Sequence, residues 1–201
     1  MGKPKETRTK PEERIVKAGR KLFFKLGFSK VSTDALAKEA AVSKNTMYKY
    51  YGDMAGVLRA VMEVESANFT AGLHWQPETR EGLEKALVGY GKKLLAFLNG
   101  RDVIRFTQLM HEEARTHRDI AQDFFESAYM RSQGTLADLL DHASQKGLIQ
   151  SELSSAELAE MLLGMWETIR MTKAALGLTK KPFADPADWA EKCVRKLLSD
   201  C

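Results

Sequence analysis

An all-α fold follows from three observations on the 201 residues. Apolar residues recur at three- and four-residue spacings along most of the chain, and no stretch alternates convincingly as a strand does. Pro and Gly number only five and 14, which disfavours both disorder and a turn-rich β fold. Hydrophobic residues make up 44%, enough to fill the core of one large domain or two small ones. The expected architecture is a three-helix head over residues 1–53, containing a helix-turn-helix, and a helical body over residues 54–201, about nine helices in all.

Residues 1–11 carry Lys3, Lys5, Arg8 and Lys10 beside Pro4 and Pro11 and read as a basic arm, suited to phosphates or a minor groove. They lack the apolar segment of a secretory signal, and no run of 18 apolar residues predicts a membrane span. The first helix starts near Glu12, with acids in its first turn to complement the dipole. Ile15, Ala18, Gly19, Leu22, Phe23 and Leu26 form its apolar stripe, Lys17, Arg20, Lys21 and Lys25 its opposite face, and Gly27 closes it.

Residues 32–51, STDALAKEAAVSKNTMYKYY, predict two short helices joined by a tight turn, about Thr33 to Ala40 and Lys44 to Tyr51. Leu36, Ala37 and Ala40 share a face, and the two alanines admit a closely crossing helix. Ser43 is a natural N-cap for the second helix, able to accept from the backbone N–H of Asn45 or Thr46. Met47 and Tyr51 face back onto the first. This leaves Lys44, Asn45, Thr46, Tyr48, Lys49 and Tyr50 outward, a cationic, hydrogen-bonding and aromatic face that suits a DNA major groove. Lys44 and Lys49 would meet phosphates or guanine, and Asn45 has the amide that bonds adenine in a bidentate way. Tyr48 and Tyr50 offer hydroxyls to phosphate and rings to thymine methyls. Ser32, Thr33, Ser43 and Thr46 sit at helix N-termini, where the dipole favours phosphate.

The charge distribution agrees. Residues 1–51 hold 13 Lys+Arg against 5 Asp+Glu, a net +8, whereas the remainder holds 18 against 22, a net −4. Positive charge concentrated around the helix-turn-helix is the footprint of phosphate binding.

Gly27-Phe28, Thr33, Leu36-Ala37, Ala40, Val42-Ser43, Thr46, Tyr48 and Tyr50-Tyr51 resemble the helix-turn-helix signature of the TetR family of bacterial transcriptional repressors, over roughly residues 12–62. Two positions depart from it. Ala41 stands where the family usually has Gly, and a left-handed non-Gly residue costs roughly 1–2 kcal/mol. Met54 stands where the family usually has a Lys that meets phosphate. The second half resembles the AefR-like branch.

After Gly52, Asp53 caps a long helix with Val57, Leu58, Val61, Met62, Phe69 and Leu73, which in the resembled family ties the reading head to the rest. Pro77 and Glu78 mark a break. Leu83 to Leu98 form a stripe ending at Asn99-Gly100, residues 102–115 a shorter helix, and residues 119–146 a single long one closed by Gly147. In the helix at about 156–176, Leu158, Leu162, Met165, Ile169, Thr172 and Leu176 make one stripe, with Leu163 and Trp166 beside it. An apolar arc this wide wants burial on two sides. The last helix, 187–199, carries Trp189, Cys193 and Leu197. Pairing of these two helices across a twofold axis is one reading, and burial within one subunit is the other. The resemblance implies a homodimer, with Leu158, Leu162, Met165, Ile169, Trp189, Cys193 and Leu197 at its interface.

The resemblance also implies a ligand cavity in the body, for which Phe97, Phe106, Met110 and Trp166 are wall candidates and Arg105, Gln108, His111 and Arg170 polar anchors. No cofactor is expected. His111 and His117 are six residues apart, too far around a helix to share a metal ion, and Glu112 and Glu113 diverge, so neither a metal site nor an enzyme is expected. Cys193 and Cys201 have no framework spacing and read as reduced thiols of a cytoplasmic protein. The sequence therefore predicts a DNA-binding repressor working as a homodimer on a palindromic operator and released by a small apolar or aromatic effector. The alternative is a DNA-binding regulator that answers to a protein partner.

Overall fold

The computed structural model of the chain describes residues 10–72 and 75–201; the expected arm over residues 1–11 lies almost wholly outside them, as do Leu73 and the side chain of Phe69. Among the described residues, ten α-helices carry the fold: α1 (Pro11–Leu26), α2 (Thr33–Ala40), α3 (Lys44–Tyr51), α4 (Met54–Thr70), α5 (Arg80–Leu98), α6 (Arg101–Glu113), α7 (Arg118–Phe125), α8 (Arg131–Gln145), α9 (Ser155–Ala175) and α10 (Pro186–Ser199). The described residues contain no strand. Most starts are set by short polar residues. Ser32, Ser43, Asp53, Thr79 and Asp185 each accept from a backbone N–H of the first turn, and Ser154 forms a reciprocal capping box with Glu157.

The single helix expected over 119–146 is interrupted. A five-residue π-helical turn, Glu126–Met130, lies between α7 and α8. Ser127 Oγ donates to the Asp123 carbonyl at 2.6 Å, giving that oxygen a partner outside the regular backbone ladder. The widened turn carries Tyr129, which lines an internal cavity described below.

Two apolar cores form. The first joins Ile15, Phe23, Leu36, Met47, Leu58 and Val61 of α1–α4 to Phe106, Met110 and Ile120 of α6 and α7. The second joins Leu83, Leu87 and Tyr90 of α5 to Leu136 and Leu140 of α8, Leu162 and Trp166 of α9, and Val194 of α10. Each fully buried Leu, Ile or Phe side chain stabilises the fold by about 1.5–3 kcal/mol.

Helix α6 docks on the end of α1. Phe24 and Phe106 stack with ring centroids 4.3 Å apart. The buried Glu113 carboxylate accepts from the Ser29 backbone N–H at 3.1 Å and from its hydroxyl at 3.1 Å. Arg105 Nε donates to the Lys25 carbonyl at 2.8 Å. Gly27 makes this approach possible: its φ of 89° lies in the left-handed region, and a Cβ there would stand 2.5 Å from Glu113 Oε1.

The stripe assigned to a subunit interface is divided by the packing. Leu158, Leu162, Cys193 and Leu197 are buried in the chain's own second core, because α8 and α5 already cover those faces of α9 and α10. Beyond Trp166 this face of α9 loses its cover, although Ala174 on another face stays buried. Ile169 and Leu176 are 70% and 68% exposed, and Met161 also faces out. Met165 and Trp189 are half-buried, the Trp189 indole donating to the Met165 carbonyl at 3.2 Å.

Candidate nucleic-acid interface and cavity

The turn between α2 and α3 places Ala41 at φ 52°, ψ 48°, left-handed as the departure from Gly requires. Val42 N–H reaches the Ala37 carbonyl at 3.0 Å and Ala41 N–H the Lys38 carbonyl at 3.1 Å, which closes α2. Arg14 Nη1 donates to the Ala41 carbonyl at 2.9 Å and ties the turn to α1. The other end of α3 rests on α4. A Cβ at Gly56 would collide with the Tyr51 carbonyl oxygen, so only Gly lets α4 start this close to α3. Tyr51 is partly buried, and its hydroxyl donates to the Glu12 carbonyl at 3.2 Å. Met47 is fully buried beneath the helix.

Held at both ends and from below, α3 shows water Lys44, Asn45, Tyr48, Lys49 and Tyr50. Asn45 and Lys49 have no hydrogen bond or ion pair among the described residues, so both are free to meet a ligand. Lys44 Nζ pairs with Asp34 Oδ1 at 2.8 Å. This hydrogen bond and the Asp34 charge hold the ammonium's pKa above its ordinary value. The Tyr48 and Thr33 hydroxyls are 3.4 Å apart, across the two helices. Thr46 is turned inward from the outermost ridge, its hydroxyl 2.8 Å from that of Ser43. Ser32 and Ser43 cap α2 and α3, accepting from Ala35 N–H at 3.1 Å and Thr46 N–H at 3.0 Å. Met54 occupies the first turn of α4, half-buried against the first core.

In the body, a cavity of about 60 Å³ takes its wall from Phe24, Phe97, Phe106, Phe124, Tyr129 and apolar neighbours, with Glu65 and Glu167 as its charged groups. A cleft of about 290 Å³ adjoins it, sharing Thr107, Tyr129 and Glu167 and adding Ile104, His111, Met171 and Leu176. Arg20 Nε holds Glu65 Oε1 at 2.8 Å and Arg20 Nη1 holds Asp102 at 2.9 Å, so α1 reaches the cavity wall through a salt bridge. The Arg20 guanidinium also lies 4.7 Å from the Phe24 ring centroid. Burial pushes the Glu167 carboxyl up to about 7 and, followed by the charge of Glu167, the Tyr129 hydroxyl up to about 12. Burial likewise pushes Tyr90 up to about 12, against a hydrogen bond with Ser132.

Of the residues proposed from sequence for a ligand, Phe97 and Phe106 reach the cavity wall and His111 the cleft. The others do different work. Met110 fills the first core and Trp166 the second, stacked near Tyr90 at 6.1 Å. Arg105 caps α1, Gln108 Nε2 donates to the Ala174 and Ala175 carbonyls at 3.1 and 3.0 Å, and Arg170 sits 4.0 Å over the Trp189 ring. These polar ends find partners at helix termini and rings, which helical spacing does not display. Glu65 and Glu167 escape the sequence reading. Their one signal is a carboxylate on the apolar side of a helix, Glu65 following Leu58, Val61 and Met62 at seven, four and three residues. His111 lies in α6 and His117 precedes α7, its ring nitrogen 3.0 Å from Thr116 Oγ1. No group of three or more metal-ligating side chains occurs among the described residues, and no described helix is long and apolar enough to cross a membrane.

Comparison with known proteins follows both halves of this geometry. Residues 15–61 match the family described as bacterial regulatory proteins, tetR family, and residues 85–199 match the C-terminal domain of the AefR-like transcriptional repressors. The chain is 27% identical over 154 residues to the uncharacterized HTH-type transcriptional regulator YvkB of Bacillus subtilis (strain 168), covering 76% of this chain and 77% of the relative. Its fold is similar to that of a TetR transcriptional regulator from Agrobacterium tumefaciens, with a TM-score of 0.74 at 19% identity, over 95% and 94% of the two chains. It is also similar to the flavonoid-responsive regulator FrrA, with a TM-score of 0.69 at 24% identity over 95% and 96%. A third similar structure is FadR from Bacillus subtilis in complex with stearoyl-CoA, with a TM-score of 0.67 at 18% identity over 94% and 98%.

Proposed function

Because the chain belongs to the TetR family of bacterial transcriptional regulators, with an AefR-like C-terminal domain, we propose that it is a homodimeric repressor that binds a palindromic operator and is released by a small effector. The observation that carries this reading is the exposed α3 face, where Asn45 and Lys49 have no partner among the described residues on a helix fixed at both ends. Residues 1–53 serve as the reading head and residues 54–201 as the sensing and dimerising body. Asn45 reads a base edge, Lys44 and Lys49 neutralise phosphates, Tyr48 and Tyr50 flank them, and Ser32, Thr33, Ser43 and Thr46 position the backbone. Lys44 exchanges Asp34 for DNA on binding.

The aromatic cavity and its cleft favour a small-molecule effector over a protein partner. That FrrA is flavonoid-responsive and that FadR is in complex with stearoyl-CoA supports the same direction. The salt bridge from Arg20 to Glu65 and the docking of α6 on α1 give a cavity occupant a physical route to the head. An effector acts only through its differential affinity for DNA-competent and DNA-incompetent packings, so operator and effector must weaken each other by the same factor.

The dimer forms through the uncovered part of α9, with Met161, Met165, Ile169 and Leu176 against their copies. Ile169→Glu is expected to give a folded monomer in sedimentation, whereas Leu162→Glu, which places a charge in the subunit core, should unfold the chain. A wild-type monomer at micromolar concentration would remove the dimer. Selection of bound fragments from the source genome tests the whole reading: a palindrome with half-sites about one helical turn apart is expected, and recovery without any shared sequence contradicts it.

A further inference from the structure

Among the described residues, three titratable side chains line the cavity: Glu65, Tyr129 and Glu167. The charge of Glu65 is met by Arg20, whose Nε and Nη2 approach its two oxygens at 2.8 and 3.5 Å. Tyr129 is held in its neutral form. Glu167 differs, since it has no hydrogen bond or ion pair among the described residues. It sits where cavity and cleft meet, because it lines both. The groups facing it are the Tyr90 hydroxyl from α5, the Tyr129 hydroxyl from the π turn, Glu65 from α4 and, across the cleft, His111 from α6. Among the described residues, neither Lys nor Arg lines either space.

An unmatched carboxylate beside aromatic rings is a receptor for positive charge. Desolvation disfavours the bare anion, a cation restores it, and ring faces add their own attraction for ammonium groups. We propose that the effector is an ammonium compound with an aromatic or apolar body, its cationic nitrogen against Glu167 and the rings of Phe124 and Tyr129, and its body in the cleft along Ile104, Met171 and Leu176. This rests on the effector reading above and names the chemistry of that site.

The probe is benzyltrimethylammonium, compared with its uncharged carbon isostere neopentylbenzene. A carboxyl that titrates near 7 is about one-tenth ionised at pH 6 and about nine-tenths at pH 8. Calorimetry on the full chain is therefore expected to show ammonium affinity rising about tenfold between those pH values, with proton release, while neopentylbenzene affinity stays level. His111→Gln should retain that rise, which separates Glu167 from the histidine. Glu167→Gln should lose at least about tenfold in ammonium affinity at pH 8 while binding neopentylbenzene as the wild type does, which also shows that the variant is folded. Ammonium affinity that falls as pH rises, or that never exceeds that of the isostere, overturns the cation assignment and leaves an effector cavity standing. Binding of neither probe overturns the cation assignment and counts against the cavity as the effector site.

Discussion

The exposed face of α3 comes from eight consecutive residues, whereas the cavity takes its wall from seven α-helices and the π turn. Which side chains the first presents follows from local rules, a serine cap and polar residues on the outward arc, while Met47 and the contacts of Arg14, Tyr51 and Gly56 seat the helix. The second exists only after α1, α4, α5, α6, α7, α8 and α9 have met. The two regions also treat charge oppositely. Around α3, Lys44 and Asp34 pair in water, where exchange for phosphate is easy. In the cavity, Glu167 has no ion-pair partner among the described residues and is desolvated, so its protonation depends on what surrounds it. In the proposed reading, a DNA-reading surface of this kind can thus be swapped residue by residue, while the sensing cavity must be retuned through several helices at once.

That contrast is sharpened by separating the outward residues of α3 from the packing that seats the helix. The largest effect is expected at Gly56. Gly56→Ala forces a Cβ into the Tyr51 carbonyl and should destabilise the head by about 3 kcal/mol, the upper part of the overpacking range. Thermal melting with a loss of DNA binding checks it. A melting temperature equal to that of wild type would mean that α3 is not seated by α4.

The next effect concerns the cavity. The folded-state pKa of Glu167 lies near 7, above its ordinary 4.5. Between these values the unfolded chain releases a proton that the folded chain keeps, so stability contributed through this group falls as pH rises from about 4.5 to about 7 and stays low above. The shift corresponds to about 3 kcal/mol. Glu167→Gln removes this dependence, so its stability relative to wild type should improve by an amount of that order between pH 4.5 and pH 8, read by denaturant melts. A pH-independent difference would place the carboxyl in water.

The smallest effect is at the turn. Ala41→Gly relieves a left-handed alanine but adds freedom to the unfolded chain, so a gain of about 0.5–1 kcal/mol is expected. A loss of stability would show that the turn tolerates Ala without strain.

Much of this fold is legible in the sequence because most helices announce themselves by caps and periodicity. Thr33–Ala40 and Lys44–Tyr51 begin at Ser32 and Ser43, and Ala41 carries its conformational demand openly. The π turn is not legible, since Ser127 and its neighbours fit an ordinary helix and only the shift of backbone partners distinguishes them. The division of α9 is also hidden. Leu162 and Ile169 lie on one face by spacing, yet the first is buried and the second is 70% exposed, because the neighbouring helices end their cover between them. Phe24, which the first helix's periodicity passes over, is buried because α6 supplies a second surface for α1. Of the cavity, only aromatic content and an acid on an apolar face show through; which rings converge depends on long-range packing.

The measurement that tests the central claim most directly is a salt titration of operator binding by wild type, Asn45→Ala and Lys44→Ala, each repeated on a scrambled duplex. If α3 reads DNA, Asn45→Ala weakens operator binding by about 1–3 kcal/mol and leaves the scrambled duplex nearly unaffected. Lys44→Ala weakens binding to both duplexes and lowers the salt slope by about 1. Wild-type affinity for the operator in both variants would contradict the account, because the surface on which it rests would not touch the DNA.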